Sequence, residues 1–315
     1  MEKVDVKGVK LFAPASIANI SCCFDVLGLC LENIGDIMEI RRSKKAGIQI
    51  TSIKGQDLPL EAMNNVAGVA GLSMLEACNP KLGFKIRIEK NIKPGSGIGS
   101  SAASAAGTVA GINYLLGNPF TNKELIPFAM EGERLACGTA HADNVAPALL
   151  GGFTLVRDTD PLDICALPTP LELVATVIHP KIEVKTSDAR AVLKKRVTLE
   201  KAISQWGNVG ALVSSLYEED YELLSRSLVD VIVEPARSIL IPYFKELKVA
   251  CKEEGALGSG ISGSGPSVFA LSRGMSSAVN VAQAMKSVLE NTNIPFDIHV
   301  SPVKKTGVSF IEDLT

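Results

Sequence analysis

Along Phe84-Lys85-Ile86-Arg87-Ile88-Glu89, apolar and charged residues alternate one for one, which is the period of a strand with one buried face. Farther on the period changes. Ala102, Ala103, Ala105 and Ala106 lead to Val109, Ile112, Leu115 and Leu116, a helical spacing that stops at Gly117 and Pro119. Between the two patterns lies the glycine- and serine-rich start of KPGSGIGSSAASAAG, residues 93–107. The order is strand, glycine loop, helix.

The same reading predicts strands at 36–42, 47–53, 84–89 and 152–157 and helices at 62–77, 101–116 and 122–137. Beyond residue 165 it predicts a strand over 171–178 and helices around 188–195, 198–216, 220–230 and 236–253. Strands at 256–261 and 267–272, a helix at 276–290 and strands at 296–303 and 306–310 complete the chain. Strand, helices, two strands, helix and strand make the split βαβ order of a ferredoxin-like layer. The class is α+β, divided into domains at 1–165 and 166–315. A chain of 315 residues with 46% hydrophobic content suits two such domains.

Charge and cysteine usage narrow the partners. A net charge of −2 and a pI near 6.0 give no broad basic face, and no basic amphipathic segment occurs, so neither nucleic acid nor a membrane is expected as partner. No apolar run reaches the roughly 18 residues of a membrane span. The seven cysteines include the adjacent pair Cys22-Cys23 and no C-x-x-C, which fits reduced thiols better than a disulfide framework or a zinc site. The amino terminus, MEKVDVKGVKLF, has no apolar core or cleavage site, and the expected location is cytoplasmic.

A small ligand is therefore the expected target, and the glycine loop says what kind. The first N–H groups of a helix lack intrahelical partners and sit at the positive end of its dipole, so a loop in front of them suits a phosphate or carboxylate. The two common nucleotide fingerprints fail: no Lys follows Gly99, and position 100 is Ser. In PGSGIGSSAA, residues 94–103, Gly97 and Gly99 allow close backbone approach while Ser100 and Ser101 add hydroxyls at the helix start. An ordinary helix-start turn is the other reading of that composition.

Residues 94–103 resemble the phosphate loop of the GHMP kinases, a family of small-molecule kinases. LFAPASIANISCCFDVLGLCL (11–31) resembles that family's amino-terminal motif, and GISGSGPSVFAL (260–271) its glycine-rich carboxy-terminal motif. By composition the latter could be a flexible linker, but a buried strand pattern follows it directly, so it reads as a tight loop at a cleft edge. SIANISCCFDVLGLCL, HADNVAPALLGGF (141–153) and VEPARSILIP (233–242) are most similar to the members whose acceptor is L-homoserine. The likeness spans nearly the whole chain. It implies a ribosomal-S5-like nucleotide-binding domain followed by a ferredoxin-like domain. It also implies phosphorylation of the side-chain hydroxyl of L-homoserine by ATP, with Mg2+, to O-phospho-L-homoserine, a step of threonine biosynthesis.

The resemblance assigns the residues as follows. Lys93, Pro94, Gly95, Ser96, Gly97, Ile98, Gly99, Ser100 and Ser101 hold the phosphates of ATP, and Asn64 and Asn65 fall where the family contacts adenine, although helix capping explains them equally well. Glu133 occupies the position of the metal carboxylate, with Ser100 or Ser101 as the second protein ligand. Arg190 and Arg237 match the positions that take the substrate carboxylate, a task suited to a planar guanidinium. Asn19 can bond the hydroxyl and Asp25 the ammonium, with His141 and Gly263 also at the substrate. Asp143-Asn144 falls where some members use an aspartate to take the hydroxyl proton. A loose transition state also allows positioning and electrostatics to provide most of the acceleration, with Asn144 orienting the hydroxyl. The resemblance is compatible with a homodimer. Two rivals stand beside this reading: a GHMP kinase acting on mevalonate or a sugar, which has no need of two arginines, and a nucleotide-binding module without turnover, which has no need of Glu133.

Overall fold

In the computed structural model, which describes residues 6–184 and 186–315, the alternating stretch is a strand that buries Phe84, Ile86 and Ile88 and exposes Lys85, Arg87 and Glu89. The first part of the chain contains β1 (Gly8–Ala18), β2 (Leu27–Arg42), β3 (Gly47–Lys54), α1 (Val66–Cys78), β4 (Gly83–Glu89), α2 (Ser100–Leu115), α3 (Ile126–Cys137), α4 (Val145–Leu150), β5 (Phe153–Thr159) and β6 (Leu162–Leu167). There follow β7 (Leu173–Pro180), α5 (Thr186–Ala191), α6 (Leu199–Glu218), α7 (Tyr221–Ser227), α8 (Glu234–Arg237), α9 (Phe244–Glu253), β8 (Gly258–Ile261), β9 (Val268–Arg273), α10 (Met275–Glu290), β10 (Phe296–Pro302) and β11 (Ser309–Leu314). Residues 1–5, the start of the stretch read for a leader, lie outside the described residues.

The first sheet runs β11-β1-β2-β4-β3, with β5 paired to β2 and β6 to β5. β3 and β4 are parallel, joined through α1. Helix α2 packs on this sheet and buries all of its residues except Ser101 and Tyr114; its run of alanines is what lets it lie so close. The second sheet, β10-β7-β9-β8, is antiparallel throughout, the strand order that the split βαβ pattern implies. Among the described residues no helix is long and apolar enough to cross a membrane.

The helix α4, the strand β6 and the first half of β2 were not read from the sequence, and three further differences have a plain physical reason. β1 is buried at nearly every position, on both faces, so it lacks the alternation that marks a half-exposed strand. The helix read over 236–253 is broken into α8, a 3-10 turn at Ser238–Leu240 and α9, because Pro242 cannot continue a helix and Tyr243 takes a left-handed φ of 58°. The last strand starts at Ser309, not 306, and returns to pair with β1. A cut at residue 165 therefore falls inside β6, and the end of the chain joins the first sheet.

Beneath the glycine loop lies a buried ion pair between Lys90 and Asp36. Lys90 Nζ also donates to Ser100 O at 2.6 Å and Ser104 Oγ at 2.9 Å, while Asp36 accepts from the N–H groups of Asn91 at 2.8 Å and Ile92 at 2.9 Å. The pair thus fastens the end of β4 to both β2 and the first turn of α2. Removing one member of a buried pair leaves the other charged and uncompensated, which typically costs about 3–5 kcal/mol. Lys90→Met is expected to lower the urea unfolding free energy by that order, and a loss below about 1 kcal/mol would show that the pair does not hold the loop's base.

Candidate active site

The loop between β4 and α2 turns on Gly95, Gly97 and Gly99, with φ of 73°, 81° and 69°. Three successive carbonyls of this loop are bound. Ser267 Oγ donates to Ser96 O at 2.5 Å, Ser262 Oγ to Gly97 O at 2.7 Å and the Ser16 N–H to Ile98 O at 3.2 Å. In a trans peptide the N–H points opposite to the carbonyl, so each of these bonds turns the following N–H, on Gly97, Ile98 or Gly99, away from the bound partner. Gly99 stands at the N-cap of α2 with no side-chain cap, so the first N–H groups of that helix keep their capacity for an anion. A Cβ on Gly97 would lie 2.6 Å from Ser262 O and 2.8 Å from Gly265 O. The glycine is thus required by the approach of the carboxy-terminal loop.

A cleft of about 390 Å³ opens over this loop. Of the sequence-read residues, Asn19, Asp25, Asn64, Asn65, Pro94, Gly95, Gly97, Gly99, Ser100, Ser101, Glu133, His141, Asp143, Asn144, Arg190, Arg237 and Gly263 all line it. Lys93, Ser96 and Ile98 do not: Lys93 faces solvent, and Ser96 and Ile98 are buried beneath the loop. The adenine candidates separate as well. Asn65 caps α1, accepting from the Ala67 N–H at 3.0 Å and donating to Pro59 O at 2.7 Å, whereas Asn64 is exposed and its side chain donates to Glu61 Oε2 at 2.7 Å.

Two polar groups face this cleft. In the first, Glu133 is 5% exposed, and its Oε1 has no hydrogen-bond partner among the described residues. Burial pushes its carboxyl up to about 7, while a hydrogen bond with Ser101 and the charge of Lys90 pull it back. The two serines part here, for Ser100 Oγ donates to Ile92 O at 2.9 Å, inside the loop's base. An unpartnered buried carboxylate oxygen beside a hydroxyl, in front of an uncapped helix, is an all-oxygen donor set that fits Mg2+.

The second group joins both domains. Arg190 Nη2 donates to Asp25 at 2.9 and 3.1 Å and to His141 Nε2 at 2.9 Å. Arg237, 2% exposed, donates from Nε to Ala189 O at 2.8 Å and from Nη1 to Gly263 O at 3.2 Å. Both guanidiniums lie over the ring of Phe24, at 5.5 and 4.7 Å from its centroid, a cation–π arrangement that holds two like charges side by side. Burial and the neighbouring Arg190 bring Arg237 down to about 10, and burial lowers His141 as well. Asn19 uses its amide to close the turn, accepting from the Asp25 N–H at 2.9 Å and donating to Gly263 O at 2.5 Å. Asn19, Ser21 and Asp25 hold left-handed φ of 75°, 57° and 62°, local strain of the kind found at binding sites.

Asp143 feels both groups. It is 4% exposed, and burial, reinforced by the charges of Asp25 and Glu133, raises its carboxyl to about 7. Asn144 Oδ1 accepts from Ser16 Oγ at 2.8 Å, which leaves its amide N–H groups for the cleft. Lys90, Ser16 and Phe24 were not among the sequence-read site residues. Lys90 had a signal, since position 90 continues the inward register of 84, 86 and 88; Ser16 and Phe24 lie inside the motif at 11–31, but nothing in the chain singled them out from it.

The chain matches the GHMP kinase N-terminal domain over residues 62–152 and the GHMP kinase C-terminal domain over 212–291. It is 45% identical to the homoserine kinase of Chloroherpeton thalassium, covering 96% of this chain and 99% of that one. The chain belongs to the homoserine kinases of the GHMP family. It is 34% identical to the homoserine kinase of Methanococcus vannielii across 98% of its length. The crystal structure of homoserine kinase from Cytophaga hutchinsonii superposes with a TM-score of 0.95 at 50% identity, covering 99% of both chains. Mevalonate kinase of L. major, at 16% identity and a TM-score of 0.66, shares the fold. As a family member the chain is an enzyme, a phosphotransferase, and its fold is the two-domain GHMP kinase fold.

The raised carboxyl of Asp143 links the site to stability. A carboxyl that titrates near 7 in the fold and near 3.8 when exposed binds its proton more tightly in the native state. Its contribution is full below the exposed value and is lost as pH rises through about 7. The ligand-free protein is expected to lose urea resistance between pH 5 and pH 8, and Asp143→Asn to flatten that fall; an identical slope in the variant would contradict the assignment.

Proposed function

We propose that the cleft transfers the terminal phosphoryl group of ATP to the side-chain hydroxyl of L-homoserine, giving O-phospho-L-homoserine for threonine biosynthesis. The observation that carries this reading is the Arg190–Asp25 pair beside Arg237. An opened ion pair is the complement of a zwitterion: the substrate ammonium replaces Arg190 at Asp25, and its carboxylate takes the guanidiniums of Arg190 and Arg237. Mevalonate has no ammonium to offer Asp25, and a sugar has neither charge.

The other residues divide the remaining work. The N–H groups of the glycine loop and the start of α2 hold the phosphates of ATP, and Asn64, exposed at the rim, is available to the adenine. Glu133 and Ser101 would hold Mg2+, which when bound neutralises charge on the phosphates. Asn19 and Asn144 orient the acceptor hydroxyl, Asn144 as a donor because its oxygen is taken by Ser16. Asp143, titrating near 7, is poised to receive the hydroxyl proton at neutral pH. Chemistry of this kind draws on alignment and electrostatics, and the cleft supplies both. The buried unpaired thiols of Cys22, Cys23, Cys30 and Cys251 suit a reducing cytoplasm.

Charge-assisted hydrogen bonds are worth ~1.5–3 kcal/mol, so Arg237→Leu is expected to raise the homoserine KM by roughly ten- to a hundredfold and leave the ATP KM nearly unchanged. The variant should also discriminate less between homoserine and its uncharged amide. The check is the ratio of kcat/KM for acid and amide in parent and variant. If both rates fall while that ratio stays the same, Arg237 supports the fold and does not read the carboxylate.

A further inference from the structure

Behind the glycine loop, on the side away from the cleft, two buried side chains form a relay to it. His179, in β7, is 4% exposed, and its Nδ1 lies 3.2 Å from Ser267 Oγ. Ser267 is fully buried, and its Oγ lies 2.5 Å from Ser96 O. A hydroxyl has one proton, and the Ser96 carbonyl can only accept, so that proton lies on the bond to Ser96. The ring nitrogen facing Ser267 must then carry the hydrogen. The chain has one direction: His179 Nδ1–H to Ser267 Oγ, then Ser267 O–H to Ser96 O.

The other ring nitrogen supports the same tautomer. Nε2 is buried with no partner among the described residues, and a hydrogen placed there would be an unsatisfied donor. Burial, with the charge of Lys93 nearby, holds the imidazole down to about 4, so the ring is neutral at working pH. A hydroxyl that accepts one hydrogen bond donates a stronger one. Ser96 O and the Gly97 N–H belong to one planar peptide and point in opposite directions. What the ring does to Ser267 is therefore felt at the Gly97 N–H, on the far side of that peptide.

We propose that His179 is a positioning residue for the nucleotide, acting through Ser267 to hold the Ser96–Gly97 peptide with its N–H turned toward the phosphates. The proposal rests on the reading of residues 94–103 as the phosphate loop. The ring touches no substrate, and its contribution is to nucleotide affinity alone.

The test is ADP binding by titration calorimetry, with L-homoserine binding measured in parallel. Loss of one neutral hydrogen bond should weaken ADP by about three- to tenfold in His179→Leu and leave homoserine unchanged. His179→Asn can set an amide N–H where Nδ1 stands and should stay within about twofold of the parent, whereas His179→Gln reaches the place of Nε2 and should not rescue. In a Ser267→Ala background His179→Leu should add nothing, since the relay is already cut. The proposal fails if Leu, Asn and Gln variants bind ADP alike, or if His179→Leu costs the same with and without Ser267. Comparing ADP with adenosine in the parent separates the two levels. If adenosine binds as tightly as ADP, the phosphate-loop reading is wrong; if ADP binds more tightly while His179→Leu does not weaken it, only the relay is wrong.

Discussion

The site depends on one contact between domains: the serine hydroxyls of the carboxy-terminal loop hold the backbone carbonyls of the phosphate loop. Ser262 and Ser267 bind Gly97 O and Ser96 O, and Asn19 and Arg237 meet at Gly263 O in the same loop. A glycine loop left to itself has large conformational freedom and no reason to present successive N–H groups in one direction. Fixing its carbonyls from behind removes that freedom before any ligand arrives, which is the physical meaning of preorganisation. Because the same loop also braces the arginine end of the cleft, nucleotide and acceptor sites share a frame.

The electrostatics follow from burial in that frame. Glu133 and Asp143 are each pushed up to about 7 and Arg237 down to about 10, and in all three the first cause is desolvation. A charge deprived of water and given few protein partners is poised for an ionic ligand. Asp25 and Arg190 meet the same need differently, by pairing with each other at the open edge, where each is about a third exposed. A surface pair of that kind is individually weak, so opening it for a zwitterion costs little.

Legibility in the sequence tracked the range of the interaction. The strand at 84–89, the helix after the glycine loop and the strand order of the second sheet come from local periodicity, and the structure follows them. The residues of the three motifs were found from the chain alone, and so was their gathering in one cleft through likeness to a family. The pairings were not. Asp25 with Arg190, Asn19 with Gly263 and Ser96 with Ser267 are each separated by well over a hundred residues, and no pattern in the chain encodes which atoms meet. Gly97 shows the limit most clearly: its place in the loop pointed to a phosphate, while its missing Cβ makes room for Ser262 and Gly265. β1 and the return of β11 escaped notice because a strand buried on both faces does not alternate and sheet partners are a tertiary choice.

The central claim is that an ion pair opened by a zwitterion selects the acceptor, and ADP release at saturating ATP over a panel of alcohols tests it most directly. L-homoserine should exceed its amide and its N-acetyl derivative in kcat/KM by tenfold or more each, since each loses one charge-assisted contact of ~1.5–3 kcal/mol. Mevalonate and galactose should give no turnover above background. Comparable turnover with the amide, the N-acetyl derivative or mevalonate would show that the pair does not read both charges.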